Sequence, residues 1–277
     1  MPLCTLHLLA LHPSTPNPLQ NFLSTLQSSN VFPLVISRVI RWIILPETFS
    51  TEHLLARNVH WDLLVILPST SPLPKPLQNL IQHHWTVTAG IPSRLLQDFA
   101  AKNRSLLHPD PATVPKLSGA LKKPKTTDSA QDLELSTPLS HWIRAFHSSP
   151  DNAPEGTGAV SMLNLLSFKP DMKSSYLEYG KAFTTSIGKN RGGNAKLVGS
   201  VTEVNGVKKG HGEECWDEIA LAHYPSILHF ADMLASEDYQ RVNRECRMPA
   251  LRDTCILMTS EVGVEEIMGG GKTKGKL

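Results

Sequence analysis

WDEIALAHYP, residues 216–225, begins with Trp-Asp, continues through alternating apolar positions and stops at a proline. WDLLVILP, residues 61–68, begins and ends in the same way in the first half of the chain. An apolar run with this periodicity is typical of a β-strand, and a proline after it ends the hydrogen-bonding ladder. If one strand is used twice, the chain contains a repeated structural unit, and each occurrence can be extended outward to its neighbours.

The sequence around WDEIALAHYP predicts six elements in the order β-α-β-β-α-β. Strands are predicted for AVSMLNLLSF, KLVGSVTEV, CWDEIALAHY and CILMTSEV. Two helices are predicted, the first for MKSSYLEYGKAFTTSIGK and the second for SILHFADMLAS, continued by the helical turns of EDYQRVNRECRMPALRD. The first of these helices has one apolar face, formed by Tyr176, Tyr179, Phe183 and Ile187. The polar loop NGVKKGHGEE joins the second and third strands, and its His211 belongs either to a lid or to an ordinary mobile hairpin loop.

The sequence around WDLLVILP predicts the same order of elements. Strands are predicted for CTLHLLALH, VFPLVISRVIRWIILP, HWDLLVILP and TVTAGIP, and helices for PLQNFLSTLQSS and PLQNLIQHHW. SRLLQDFAAKNRSLL adds one more helix. Trp61-Asp62 and Trp216-Asp217 therefore both open the third strand of their unit.

A β-α-β-β-α-β unit places its helices on one side of the sheet and leaves the other side in need of a partner. The third strands are apolar at successive positions, as in LLVIL, which is typical of strands buried on both faces. We predict an α+β fold in which two ferredoxin-like domains cover each other and form an intramolecular pseudodimeric α+β barrel. The expected unit is then a monomer.

Composition divides the chain into four segments. We predict an N-terminal domain over 1–107, a linker over 108–155, a C-terminal domain over 156–268 and a disordered tail over 269–277. The linker mixes proline with Lys, Ser, Thr and Asp and is expected to be flexible. One short helix is predicted near 138–147, because STPLSHWIRAFHSS has an N-cap signal and helical apolar spacing.

Composition also limits the class of protein. With 277 residues, 40% hydrophobic and 19% charged, and Lys+Arg 27 against Asp+Glu 25, the chain resembles an ordinary globular protein and offers no basic surface for nucleic acid. We expect no membrane span, and the four cysteines have neither zinc-ligand nor disulfide-framework spacing. The ending GKL departs from the peroxisomal S-K-L signal, so a cytoplasmic location is expected.

Residues 159–260 resemble a known family. MLNLLSFKP, YLEYG, WDEIALAHYPS and the run from MLASEDYQ to ALRD look like the bacterial family of domains of unknown function numbered 1330, within the dimeric α+β barrel, ferredoxin-like superfamily. The resemblance implies a pocket between sheet and helices. Relatives in the superfamily include cofactor-independent monooxygenases, polyketide cyclases, lactone isomerases and haem enzymes.

Four strand residues are candidates for binding or proton transfer. Asn164 interrupts an apolar strand, and its amide either orients a substrate or makes a structural hydrogen bond. Trp216, Glu218 and Tyr224 are predicted to share one face of the third strand with two small alanines, which leave room for a ligand. Beside such a cavity the Glu218 pKa is expected to rise toward values useful for a general base, and the alternative is a solvated carboxylate.

Further candidates lie outside that face. His223 and His229 flank the YPS turn, where an imidazole either transfers a proton or serves as a surface or capping residue. Arg247 matches a basic position of the resembled family and either binds an acidic group or forms a salt bridge. His83-His84, predicted on a helix, point in different directions and have no third ligand nearby, so no metal is expected.

These observations favour a cofactor-independent enzyme that acts by proton transfer on a small apolar, aromatic or polyketide-like metabolite of secondary metabolism. Cyclisation, isomerisation and oxygenation remain open as reaction types. The alternative is a protein of the same superfamily that binds a small molecule, or serves as a scaffold, without catalysis. Haem binding through a pocket histidine is a weaker alternative.

Overall fold

The computed structural model describes residues 1–49, 51–56, 58–210 and 216–270. These ranges contain the strands β1 Leu3–Leu11, β2 Val35–Ile44, β3 Leu63–Leu67, β4 Ile81–Gly90, β5 Val160–Phe168, β6 Asn194–Val204, β7 Val207–Lys208, β8 Glu218–Tyr224 and β9 Leu251–Ser260. They also contain the helices α1 Pro18–Ser28, α2 Lys75–Gln78, α3 Ser93–Leu96, α4 Phe99–Leu107, α5 Thr137–Ser148, α6 Lys173–Ala182, α7 Ile227–Leu234, α8 Glu237–Val242 and α9 Val262–Gly270. The fold is α+β, and within the described ranges no helix is long and apolar enough to cross a membrane.

The strands form one antiparallel sheet that returns to its starting strand. Its order is β4-β1-β3-β2-β9-β5-β8-β6-β7, and β4 also pairs with β6. Every strand from β1 to β6, together with β8 and β9, therefore has at least two neighbours, and the short β7 pairs with β6. Closing a sheet in this way satisfies the backbone groups that an edge strand would expose.

The two halves of the chain have the same strand order. In the first half the strands are arranged 4-1-3-2 as β4-β1-β3-β2, and in the second half β9-β5-β8-β6 repeats that arrangement. The halves are joined by two reciprocal pairings, because the second strand of each half pairs with the fourth strand of the other. The sequence predicted two sheets that cover each other, but alternation within a strand could not reveal that their edges are also hydrogen-bonded.

Asp62 has a structural role at the start of the third strand of the first half. Its N–H donates to the Leu9 carbonyl at 2.8 Å, and its carboxylate accepts from the Leu11 N–H at 2.7 Å. Its own carbonyl accepts from the Val39 N–H at 2.9 Å. One residue thus connects the first, second and third strands at one end of the half.

Asp217 makes the same three hydrogen bonds in the second half. Its N–H donates to the Leu166 carbonyl at 2.7 Å, and its carboxylate accepts from the Phe168 N–H at 2.7 Å. Its carbonyl accepts from the Val201 N–H at 3.0 Å. The Trp-Asp pairs that opened the sequence comparison therefore occupy equivalent positions, because Asp62 and Asp217 bond to equivalent strands.

The core has three main layers. An interior cluster receives apolar side chains from all eight strands of the closed sheet, which places it inside the ring. A second cluster lies outside the first half, under α1, α2 and α9, and a third lies outside the second half, under α5, α6, α7 and α8. The third strand of the first half contributes to two layers, since Leu64 and Ile66 face inward and Leu63, Val65 and Leu67 face outward.

The segment 108–155 packs against the second half. The predicted short helix is α5, whose cap Ser136 accepts a hydrogen bond from the Leu139 N–H at 3.2 Å. Leu133 and Leu135, which precede it, are buried in the outer cluster of the second half. The apolar residues of this part thus find a surface on which to pack, and the expected flexibility of the linker stays a prediction. The domain boundaries themselves stay a prediction.

Two local predictions have different outcomes. The helix predicted for PLQNLIQHHW is wrong beyond α2, because Ile81 to Trp85 pair with β1 as the start of β4 and tertiary pairing decides the conformation. The predicted tail from Gly269 begins within α9, and residues 271–277 lie outside the described residues. The predicted His211 lid and Cys215 also lie outside them.

Candidate functional site

A pocket of about 360 Å³ lies between the outer face of β5, β6 and β8 and the helix α6. Its floor is formed by strand residues that alternate toward the helices, including Met162 and Asn164 of β5. Its wall is formed by the face of α6 that the sequence predicted to be apolar, including Tyr176 and Tyr179. A volume of this size is within the usual range for small-molecule sites.

Strand β8 supplies one row of the pocket through its alternating residues. Glu218, Ala220, Ala222 and Tyr224 all line it, as the period of a strand predicts. The two alanines are only half-buried although they lie in the middle of the strand, because the space above their methyl groups is open. Small side chains at these two positions therefore create the cavity.

Glu218 is the carboxylate of the pocket lining. It is 8% exposed, and burial raises its pKa above the ordinary value of 4.5. Lys173 opposes that shift in part, since its Nζ lies 3.3 Å from Oε2 of Glu218. A carboxyl group whose pKa is raised by burial accepts a proton more readily than an ordinary carboxylate does. The solvated-carboxylate alternative is not what the structure contains.

Asn164 combines a structural and a pocket-facing role. Its Nδ2 donates to the carbonyl of Met162 at 3.0 Å and to that of Ala220 at 3.4 Å. Within the described part of the chain, Oδ1 has no hydrogen-bond partner. Because the amide N–H groups are occupied, Asn164 is placed to accept a hydrogen bond from a ligand hydroxyl rather than to donate one to a carbonyl.

The buried tyrosines of the pocket keep their phenol groups protonated. Burial raises the pKa of Tyr176 above that of a free phenol, and the same cause acts on Tyr179 and Tyr224. The Tyr224 hydroxyl donates to the sulfur of Met233 at 3.6 Å. These phenols therefore supply apolar surface and hydroxyl groups, and none of them is poised to act as a base.

The helix wall contains an irregular turn. After α6 the chain continues as a π-helical turn, Phe183–Ile187, and the Gly188 N–H donates to the Phe183 carbonyl at 3.0 Å. Phe183 and Thr184 from this turn line the pocket. Single π turns inside helices are frequent at functional sites because they redirect side chains.

Trp216 is not part of the pocket. It is 1% exposed and belongs to the interior cluster with Ile219 and Leu221, and its ring packs edge-on against Phe49 at 4.8 Å between centroids. The prediction that it shares the face of Glu218 is wrong, because β8 begins at Glu218 and the regular alternation does not extend back to Trp216.

His223 also lies on the interior side of β8. It is 1% exposed, and burial, followed by the positive charge of Lys196, lowers its pKa to about 3. Its ring is therefore neutral at physiological pH and lies outside the pocket lining, so the geometry does not support the predicted catalytic role there.

His229 connects α7 to the segment 108–155. Its Nε2 lies 2.9 Å from the carbonyl oxygen of Pro115 and must donate to it. Its Nδ1 lies 2.8 Å from the hydroxyl oxygen of Ser226. These contacts are structural, but α7 has no side-chain cap hydrogen bond, and His229 does not line the pocket.

Arg247 is buried behind the aromatic wall. It is 2% exposed, and its guanidinium opposes the rise in pKa of Tyr176, Tyr179 and Tyr224. Its Nη2 donates to the Thr254 hydroxyl at 3.5 Å. It does not line the pocket, and within the described ranges no carboxylate lies at ion-pair distance from it.

His84 has a partner that the sequence did not indicate. Its Nε2 lies 2.8 Å from Nδ1 of His7, and both residues lie on the outer face of neighbouring strands. Burial, and then the charge of His84, lowers the pKa of His7 to about 3. Two imidazoles are few ligands for a metal site in a protein. The described residues contain no group of three or more His, Cys, Asp or Glu side chains suited to a metal ion.

Sequence reasoning missed the part of the pocket that other segments supply. Pro92, Arg94 and Leu95 come from the turn and helix after β4, and Leu133 comes from the segment 108–155. No periodic signal marks these residues as pocket lining, because they reach it through long-range packing. The aromatic residues of α6 were predicted as a buried face, and the polar Asn164 opposite them was the available signal for a cavity.

Comparisons with known proteins assign this chain to no family. No family model matches this chain, and no curated protein matches it. Among solved structures, it is similar to the crystal structure of RPA0582, a protein of unknown function from Rhodopseudomonas palustris, with 21% identity, a TM-score of 0.34, and coverage of 45% of this chain and 92% of that chain. The crystal structure of methylated RPA0582 gives 21% identity, a TM-score of 0.35, and coverage of 46% and 92%.

Proposed function

We propose that the chain is an internal duplication of a ferredoxin-like unit, closed as an intramolecular pseudodimeric α+β barrel. The repeated 4-1-3-2 strand order, the reciprocal pairings of β2 with β9 and of β4 with β6, and the equivalent bonds of Asp62 and Asp217 support this proposal. The relation of residues 159–260 to the family numbered 1330 remains part of the proposal and rests on the sequence segments quoted above.

The function that we propose is cofactor-independent proton transfer on a small, mostly apolar molecule, with Glu218 as the acid-base group. The observation that carries it is the buried carboxylate of Glu218 in the lining of an otherwise apolar and aromatic pocket. Burial raises the pKa of this group, and Lys173 is close enough to stabilise the ionised form during a reaction cycle. Cyclisation and isomerisation need this chemistry.

The rest of the lining suits a ligand with a flat apolar body and a hydroxyl or enol group. Aromatic rings from Tyr176, Tyr179 and Phe183 offer surfaces for a planar ligand. Asn164 Oδ1 is available to accept a hydrogen bond, which would hold a hydroxyl near Glu218. An aromatic or polyketide-like metabolite has these features.

Isotope exchange tests the proposed reaction. The protein is incubated in deuterated water with a metabolite extract of its source cells, and mass spectrometry identifies any compound that gains deuterium at carbon. Wild-type protein should label at least one compound, Glu218→Gln should label it much more slowly, and Glu178→Gln, which changes an exposed carboxylate of α6, should behave as wild type. Equal labelling by all three proteins would remove Glu218 from the reaction.

A second candidate function is binding without catalysis. It is favoured by the position of His223 and His229 outside the pocket, because Glu218 is then left without a second proton-transfer residue of the kind predicted. A carrier would retain one compound unchanged and would exchange no hydrogen with it. In either case we propose that the chain is monomeric, since the strands that a second copy would pair with are already paired within the chain.

A further inference from the structure

The pocket opens on a side that carries positive charge. About half of its lining is buried, including Met162 and Tyr224, whereas four lining residues are exposed to solvent: Arg94, Leu177, Lys181 and Thr184. Exposed lining residues mark the opening of the pocket, so the cationic side chains of Arg94 and Lys181 lie at this opening. One comes from the first half of the chain and the other from α6.

These two cations are not neutralised by the protein within the described ranges. Neither Arg94 nor Lys181 has a carboxylate within ion-pair distance there, whereas Lys173 is paired with the one carboxylate of the lining, Glu218. The charge of Lys173 is thus compensated by Glu218, whereas the charges of Arg94 and Lys181 at the opening are not compensated. Cations left unpaired on an apolar pocket attract a ligand of opposite sign.

A second hollow continues the same charge pattern. It measures about 480 Å³ and shares Arg94, Leu95, Thr184 and Ala195 with the pocket, so the two spaces meet at these residues. Its lining adds Lys102, which is exposed, and Lys196, which is buried and paired with Glu261. Within the described residues no acidic side chain lines this second hollow.

We infer that the ligand of the pocket is an apolar carboxylic acid, whose carboxylate is bound at the opening by Arg94 and Lys181. This inference rests on the proposed function, because it names the class of molecule that occupies the same pocket. A carboxylate deeper in the pocket would approach that of Glu218 and be repelled. The acid group therefore stays at the opening, and the apolar body extends inward toward Glu218 and Asn164.

This arrangement assigns a specificity role to a residue of the first half. The guanidinium of Arg94 is able to hold a carboxylate through two parallel hydrogen bonds, whereas Lys181 contributes a point charge. The pocket lies against the second half, but its charge selectivity is completed by the helix that follows β4.

The test compares a carboxylate with its neutral amide. Cinnamate and cinnamamide share an apolar ring and differ in charge, and isothermal titration calorimetry measures their affinities for the full-length protein. Cinnamate should bind about tenfold more tightly than cinnamamide at low ionic strength, and the advantage should shrink at high salt because exposed charges are screened. The double variant Arg94→Gln/Lys181→Gln should lose that advantage while keeping the affinity for cinnamamide.

The control is Arg104→Gln/Lys189→Gln, which removes the same two charges at exposed positions outside both hollows. It should bind both probes as wild type does. Equal wild-type affinity for the two probes, or an equal loss of cinnamate affinity in both double variants, overturns the inference and leaves the pocket proposal standing. If wild-type protein binds neither probe, the pocket proposal fails and the inference fails with it.

Discussion

Leu257→Ala should weaken both halves of the molecule at once. Leu257 is fully buried in the interior cluster, and its strand β9 pairs with β5 of its own half and with β2 of the other. It stands opposite Leu163 in β5 and Trp42 in β2. Removing its side chain leaves a cavity against a core to which every strand of the closed sheet contributes.

The expected loss is about 3 kcal/mol in the free energy of unfolding, within the range for a buried leucine truncated to alanine. Since about 1.4 kcal/mol corresponds to a factor of ten, amides that exchange through global unfolding should exchange on the order of 100-fold faster. The same acceleration should be found in β1 of the first half and in β5 of the second.

Hydrogen exchange followed by mass spectrometry measures both strands in one experiment. Leu45→Ala is the matched control, because Leu45 is 47% exposed and the same truncation there leaves no buried cavity. Acceleration confined to β5, with β1 protected as in wild type, would refute the shared core and leave two halves that unfold separately.

Three further predictions follow from individual residues. His223→Asn should reduce the loss of stability at acid pH. The wild-type ring has a native pKa of about 3 and an ordinary value of 6.5, so the wild type should lose about 3 kcal/mol of its free energy of unfolding between pH 6.5 and pH 4. Urea unfolding across this range measures the loss, and parallel profiles for the two proteins would contradict the prediction. Gly188→Ala should lower the melting temperature, because the added methyl would lie 2.6 Å from the Phe183 ring and 2.7 Å from the Phe183 carbonyl oxygen. Gly180→Ala should not lower it, because the space around Gly180 is open. An unchanged melting temperature for Gly188→Ala would contradict the close approach. Glu218→Gln should be more stable than wild type at neutral pH and equal to it below pH 4.5. The native pKa of Glu218 is raised, so the stability of the wild type falls as the pH rises above 4.5. A difference in melting temperature between the two proteins that stays constant with pH would contradict a buried, ionising carboxylate.

The sequence was most informative where one strand or one helix determines the outcome. The period of β8 placed Glu218 and Tyr224 on one face with the small alanines, and helical spacing placed Tyr176 and Tyr179 on the buried face of α6. In both cases the interaction depends on residues a few positions apart, which a single sequence displays. The repeated Trp-Asp pair also predicted that the same order of elements occurs twice along the chain.

The remaining features depend on partners far away in the chain. Trp85 lies in a strand rather than a helix because β4 pairs with β1, and Trp216 faces inward because the regular part of β8 begins after it. Arg94 and Leu133 reach the pocket from separate segments. A local pattern contains no information on which distant surface a segment will contact, so these positions require the structure.

The most direct test of the central claim is native mass spectrometry of Glu218→Gln protein purified from its source cells. If the pocket holds a substrate and Glu218 transfers its proton, this variant should retain the substrate, and a bound mass should be detected that solvent denaturation releases. Ala222→Phe, which places a ring in the space above β8, should carry no such mass although it folds. A Glu218→Gln protein without any bound molecule, or an Ala222→Phe protein carrying the same one, would contradict the claim that this pocket is the functional site.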